Sequence, residues 1–146
     1  MPRRNFIFPS PKYREIDSSD ASKPFQNELF PQGNVLSDLV PMNAVNRHVF
    51  VHDQDGDIMA FLMFDDNDTF FHIEFVAVNR LVQSQTSGTK LILLLEELGK
   101  TLNYTSIELY SLEQKIQYYE SLGFTDTGIP QVGHYGKMSK MKKSLN

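Results

Sequence analysis

Residues 74–98 read EFVAVNRLVQSQTSGTKLILLLEEL. An apolar strand ends at Val78, a short polar segment runs from Asn79 to Ser87, and a helix opens near Gly88. Leu91, Leu94, Leu95, Leu98 and Leu102 then recur at helical spacing, with Asn103 as the stop. A strand leading through such a loop into a helix aims unpaired backbone N–H groups outward. Together with the positive end of the helix dipole they make an anion site. Ser84, Thr86, Ser87 and Thr89 add hydroxyl donors, and Gly88 lets the backbone approach closely. The loop is neither G-x-x-x-x-G-K-[ST] nor G-x-G-x-x-G, so neither a nucleoside triphosphatase nor a Rossmann dinucleotide site is supported.

Upstream, Arg47–His52 reads as a strand, Asp55-Gly56 as a tight hairpin turn and Ile58–Phe64 as the partner strand. Asp65-Asp66-Asn67-Asp68 is a second turn, and a long strand covers Thr69–Val78, which makes a three-strand antiparallel meander. Downstream, Ser106–Tyr110 is a buried strand and Leu112–Leu122 an amphipathic helix stopped by Gly123. Phe124–Thr127 and Tyr135–Met141 are the last strands. The first 45 residues carry six prolines and read as a strand at Phe6-Ile7-Phe8, then broken helices near Ser18-Ser19-Asp20 and Val35–Val40.

The 146 residues fit one domain, and 40% hydrophobic with 22% charged residues excludes wholesale disorder. The longest apolar run, Leu91–Leu95, is far shorter than the roughly 20 residues a membrane span requires, and no signal peptide is expected. With no cysteine there is no disulfide framework, thiolate metal site or cysteine nucleophile. The net charge of -4 argues against a general nucleic-acid binder. A cytoplasmic location follows as the expectation. Asp53, Asp55, Asp57, Asp65, Asp66, Asp68 and Glu74 lie in a stretch without Lys or Arg, six of them at the two hairpin tips. They read as solvated turns or, less simply, as a rim that attracts a cationic amine. Lys137, Lys140, Lys142 and Lys143 at the other end read as charges that blunt an edge strand or a tail. The run Asp53–Asp57 superficially suggests a calcium loop, but Gly56 comes too early and position twelve is Phe64. His48, His52 and His134 lack a second ligand at metal spacing, so no metal is expected.

At the loop the chain resembles the GCN5-related N-acetyltransferase (GNAT) family. That family places a Q/R-x-x-G-x-G/A loop between its fourth strand and a helix, and Gln83-Ser84-Gln85-Thr86-Ser87-Gly88 stands at the matching spacing after Val78. Gln117-Tyr118-Tyr119-Glu120-Ser121-Leu122-Gly123-Phe124 is similar to the family's LYEKLGF box. The resemblance covers roughly residues 47–142. It implies an α/β (α+β) fold with a mixed, mostly antiparallel sheet flanked by helices, splayed between the fourth and fifth strands. Residues 1–146 then form a single domain, with 1–45 on the acceptor side and 46–142 as the core.

The resemblance also implies acetyl-coenzyme A as co-substrate. Gln83, Ser84, Gln85, Thr86, Ser87, Gly88 and Thr89 would hold its pyrophosphate, and the backbone of Val76, Ala77 and Val78 its pantetheine arm. An amine acceptor would attack the thioester directly. Alternation puts His72, Glu74, Val76 and Val78 on one face of the strand, with Phe71, Ile73, Phe75 and Ala77 on the other. Glu74 or His72 would act as the base and Tyr119 as the acid toward the leaving thiolate. Thr86 replaces the loop's central glycine, and Leu112 and Lys115 stand where the family usually has Asn and Ala. These departures motivate an alternative, a catalytically idle domain that senses coenzyme A or binds a protein. A homodimer through the final strands is a further possibility, and nucleic acid is not expected as a partner.

Overall fold

The structure, a computed structural model, describes residues 4–16, 45–78, 86–133 and 136–146. Its strands are β1 (Tyr13–Ile16), β2 (Arg47–Gln54), β3 (Asp57–Asp66), β4 (Phe70–Val78), β5 (Ser106–Leu112), β6 (Thr125–Gly133) and β7 (Gly136–Ser144). Helix α1 spans Ser87–Thr101, and a 3-10 turn at Glu113–Lys115 leads into α2, Ile116–Ser121. The strands form one sheet in the order β1-β2-β3-β4-β5-β7-β6, antiparallel throughout except for the parallel β4–β5 pair. This is the mixed, mostly antiparallel sheet that the resemblance implied.

The meander follows from its turns. Asp55 and Gly56 have φ of 55° and 89°, the left-handed pair a two-residue hairpin needs, and Asp53 accepts the Gly56 N–H at 3.0 Å. The second turn is tighter than expected, because β3 continues through Asp65 and Asp66. Asp65 takes a bidentate contact from Arg47, and Asp66 is buried beneath Arg4 and Tyr104. Two of the acids assigned to hairpin tips are therefore partnered strand residues.

The sheet has two apolar faces. On one, α1 buries Leu91, Ile92, Leu94 and Leu95 against Phe50, Leu62, Phe64, Phe71, Ile73, Ile107, Leu109 and Met141. On the other lie Ile16, Val49, Val51, Ile58, Phe61 and Met63, with Phe75 and Ala77 beside them. Burial of this many large side chains, each contributing about 1.5–3 kcal/mol, is what holds the two-sided layer together.

Several expectations differ from the structure; β6, for one, runs past Thr127 to Gly133. Phe6-Ile7-Phe8 is not a strand: Phe6 and Phe8 meet Phe50 edge-on at 5.1 and 4.9 Å while Ile7 faces solvent, so among the described residues this arm packs through side chains. Leu112 belongs to β5, paired with Met138, which leaves a six-residue α2 in place of an eleven-residue helix. The lysine-bearing β7 is an inner strand. Lys140 pairs with Glu108 at 3.4 Å and Lys143 with Glu96 at 2.7 Å, while β6, exposed along nearly its whole length, forms the edge. The expected helices near 18–20 and 35–40 fall outside the described residues.

Candidate active site

The decisive local feature is a bulge in β4. Met63 pairs with Phe75 but Phe64 pairs with Ile73, so Glu74 is the extra residue. A bulge bends its strand and increases its twist. Before it, Phe70–Ile73 pair with Ser106–Leu109 of β5, and beyond it no β4 residue pairs with β5. Val76, Ala77 and Val78 stay on β3, opposite Leu62, Phe61 and Ala60, while Tyr110–Leu112 of β5 stay on β7. A gap therefore opens between the C-terminal ends of two parallel strands. On its gap side the β4 backbone beyond Ile73 has no strand beside it among the described residues.

The bulge also corrects the expected faces. Strict alternation fails at Glu74: Val76 joins Phe71 and Ile73 on the α1 side, whereas Phe75 and Ala77 face the second cluster. His72 and Glu74 remain neighbours on the side away from α1, with Nε2 and Oε1 3.5 Å apart. Arg47 Nη2 approaches the same Oε1 at 3.5 Å, and its guanidinium is braced on Asp65 by contacts of 2.8 and 3.0 Å. The Asp65 hydrogen bond, which outweighs the cost of partial burial, raises the Arg47 pKa above its usual value. His72 also stands 5.6 Å, ring to ring, from Tyr110 across the fork. Arg47 had no signal in the sequence, since only the β2–β3 register brings it there.

Helix α1 starts opposite the open end. Among the described residues its first backbone bond joins the Lys90 N–H to the Thr86 carbonyl at 3.0 Å, no side chain caps the helix, and its first turn has no acidic residue. The N-terminal amides ahead of Lys90 thus have no acceptor within the helix. Gly88 does not have a positive φ. Its importance is packing, because a Cβ there would stand 3.3 Å from Val76 Cγ1 and 3.4 Å from Val78 Cγ1. The glycine lets the helix start sit directly on the last residues of β4. Ser87 is buried and shares a 2.9 Å hydrogen bond with His52 Nδ1. Burial, then Lys90 and Lys12, lower the His52 pKa and keep the ring neutral. From sequence spacing His52 is only a lone histidine, because its partner Ser87 lies 35 residues away. Gln83, Ser84 and Gln85 lie outside the described residues.

The second box is a helix-ending device. Gly123 has φ of 95°, its N–H donates to Glu120 O at 3.0 Å, and Phe124 N–H donates to Tyr119 O at 3.1 Å. This is the Schellman pattern, completed by the Phe124 ring 5.8 Å from Tyr119. The motif fixes Tyr119 against the core on the α1 side. Burial, and secondarily Tyr118, push its phenol up to about 12. Its hydroxyl makes no hydrogen bond to any described residue. Tyr118, next to it, reaches α1 instead and meets Thr89 Oγ1 at 2.7 Å. The structure thus joins Glu74 with His72, and Val76, Val78 and Gly88, which the resemblance assigns to the cofactor, with one another. Tyr119 lies on the opposite face of the sheet from Glu74 and His72, and the β4–β5 gap is the passage between them.

Residues 10–124 match the model of the acetyltransferase (GNAT) family. The chain belongs to that family. No curated protein sequence matches this GNAT chain. Among solved structures it is similar to the ribosomal-protein-S18-alanine N-acetyltransferase from Escherichia coli, at 19% identity and a TM-score of 0.74, covering 92% of this chain and 93% of that one. An aminoglycoside 6'-N-acetyltransferase complexed with coenzyme A superposes with a TM-score of 0.71 at 15% identity, over 92% of this chain and 97% of that one. Tetrahymena GCN5 superposes with a TM-score of 0.64 at 19% identity, over 88% and 86%. At these identities the neighbours establish the GNAT fold. No helix among the described residues is long and apolar enough to cross a membrane.

Proposed function

We propose that this GNAT domain transfers an acetyl group from acetyl-coenzyme A to a primary amine by direct attack in a ternary complex. One observation carries the reading: the β4–β5 separation opens directly beside the uncapped start of α1. Amides, hydroxyls and the absence of acids there suit a pyrophosphate. The unpaired β4 edge at Val76–Val78 suits an amide-bearing arm lying along it like an added strand. Acetyl-coenzyme A supplies the thioester carbon, where a C–N bond forms as the C–S bond breaks.

Glu74 takes the ammonium proton that frees the amine lone pair. Its Oε1 is shared by Arg47 and His72, which leaves Oε2 for the acceptor. His72 is the second candidate for this role, adjacent on the same face. Tyr119, with its phenol at about 12, stays protonated at neutral pH and acts as a hydrogen-bond donor to the departing thiolate. Full proton transfer to a thiolate of ordinary pKa near 8.5 would be uphill, so Tyr119 stabilises the leaving sulfur more than it neutralises it. The test is release of coenzyme A thiol from acetyl-coenzyme A over a panel of primary amines: a polyamine, an aminoglycoside, a peptide N-terminus and a lysine peptide. Release that depends on one amine class and falls in Glu74→Gln supports the reading. Equal release with and without every amine contradicts it.

A further inference from the structure

Two helices approach each other at the cofactor side of the gap, and one hydrogen bond joins them. Tyr118 OH on α2 lies 2.7 Å from Thr89 Oγ1 in the first turn of α1. Tyr118 is about one-third exposed and packs edge-on against Tyr119 at 5.0 Å. In the LYEKLGF box the equivalent position is Leu, so this hydroxyl belongs to the chain's own variation and to no general feature of the box. The loop also lacks a glycine at Thr86, where the backbone would otherwise come close to a phosphate. A hydroxyl network at the next turn offers a substitute donor.

We propose that Tyr118 is a positioning residue of the coenzyme A site, orienting the Thr89 hydroxyl toward the ligand's pyrophosphate. The chemistry sets the direction of the chain. A phenol is a stronger hydrogen-bond donor than an aliphatic alcohol. When Tyr118 donates to Thr89 Oγ1, the Thr89 proton is turned away from Tyr118 and is free for an anionic acceptor. A hydroxyl that accepts one hydrogen bond also donates a stronger one. The three-membered relay of phenol, alcohol and phosphate oxygen keeps α2, and Tyr119 with it, in register with the bound ligand. No proton is transferred; the relay only orients.

This inference rests on the cofactor reading above, and calorimetric titration of the full chain separates the two. Coenzyme A and phosphate-free pantetheine are titrated into wild type, Tyr118→Phe, Thr89→Ala and the double variant. The Tyr118→Phe Kd for coenzyme A should rise roughly three- to tenfold, the worth of one hydrogen bond to a charged acceptor's donor. The double variant should bind no more weakly than Thr89→Ala, because Tyr118 acts only through Thr89. Pantetheine binding should be the same in Tyr118→Phe and wild type. Since Tyr118 is partly exposed and Phe keeps the ring, the melting temperature serves as the folding control. Unchanged or tighter coenzyme A binding in Tyr118→Phe overturns this inference alone. An equal loss for pantetheine reduces Tyr118 to a packing residue and overturns it too. Failure of the wild type to bind coenzyme A overturns the cofactor reading and this inference with it.

Discussion

Replacing Tyr104 with Phe removes one oxygen from the end of the sheet remote from the open gap. That hydroxyl donates to Asp66 Oδ1 at 2.6 Å, while Arg4 Nε holds Oδ2 at 2.7 Å and the Asp68 N–H reaches Oδ1 at 3.0 Å. Burial opposes ionisation of Asp66, but the hydrogen bonds from Tyr104, Asp68 and Arg4 outweigh it and hold the carboxyl below its ordinary range. The Asp66 side chain is 5% exposed, so solvent cannot replace the lost donor. A hydrogen bond to a buried charge contributes about 1.5–3 kcal/mol, and the Phe ring keeps its contact with Phe71, so the expected cost is about 2 kcal/mol. At about 2.1 cal/mol/K per residue, the 146 residues give an unfolding entropy of roughly 0.3 kcal/mol/K. The melting temperature should therefore fall by about 6–7 °C near neutral pH. The sign with pH follows from the depressed pKa. The stabilisation is fully present above the unfolded value near 3.9 and is lost as pH falls through the lower folded value. Urea titrations of both proteins should show a constant gap at pH 6–8 that narrows below about pH 4. A gap under 0.5 kcal/mol at pH 7, or one that persists unchanged in acid, would refute the claim that Tyr104 acts through an ionised Asp66.

Gly88→Val drives methyl groups into Val76 and Val78, which already stand 3.3 and 3.4 Å from the Cβ position. It should weaken coenzyme A binding at least tenfold and cost about 1–3 kcal/mol of stability; wild-type affinity would show that the helix start is not part of the site. Glu74→Gln should lower kcat by about 10²–10⁴ with little change in acetyl-coenzyme A affinity, and Tyr119→Phe by a smaller factor. If His72→Asn instead produces the larger loss, the base is His72. His52 is buried and its pKa lowered, so its contribution to stability is present above about 6.5 and is lost as pH falls through the folded value. Wild type should therefore lose more stability between pH 7 and pH 5 than His52→Gln, measured by urea midpoints; parallel losses would exclude His52 as the source.

The legible parts of the chain were those set by local chemistry. The Leu spacing of α1, the Asp55-Gly56 turn and the Gly123 stop each follow from periodicity or from a required φ, and each stands within a residue or two of its expected place. The bulge at Glu74 was not legible, because it is defined by which β3 residue lies opposite, and the FHIEFVAV alternation has no mark of it. That single register shift reassigns Val76 and Val78 to the α1 side and creates the gap. The partnerships of Arg47 and His52 are illegible for the same reason, as their partners lie on other strands or on α1. Leu112 was assigned to a helix because its apolar neighbours fit a helical stripe, yet ladder pairing with Met138 claims it for β5. Phe6 and Phe8 read as strand residues by composition and are instead edge-on packing groups on Phe50.

The central claim is that the gap between β4 and β5, beside the start of α1, is a coenzyme A site. Calorimetric titration of the wild-type chain with acetyl-coenzyme A, repeated with pantetheine lacking the nucleotide half, tests it most directly. Micromolar binding of acetyl-coenzyme A that weakens sharply for pantetheine is the predicted result. No heat of binding at millimolar acetyl-coenzyme A would contradict it.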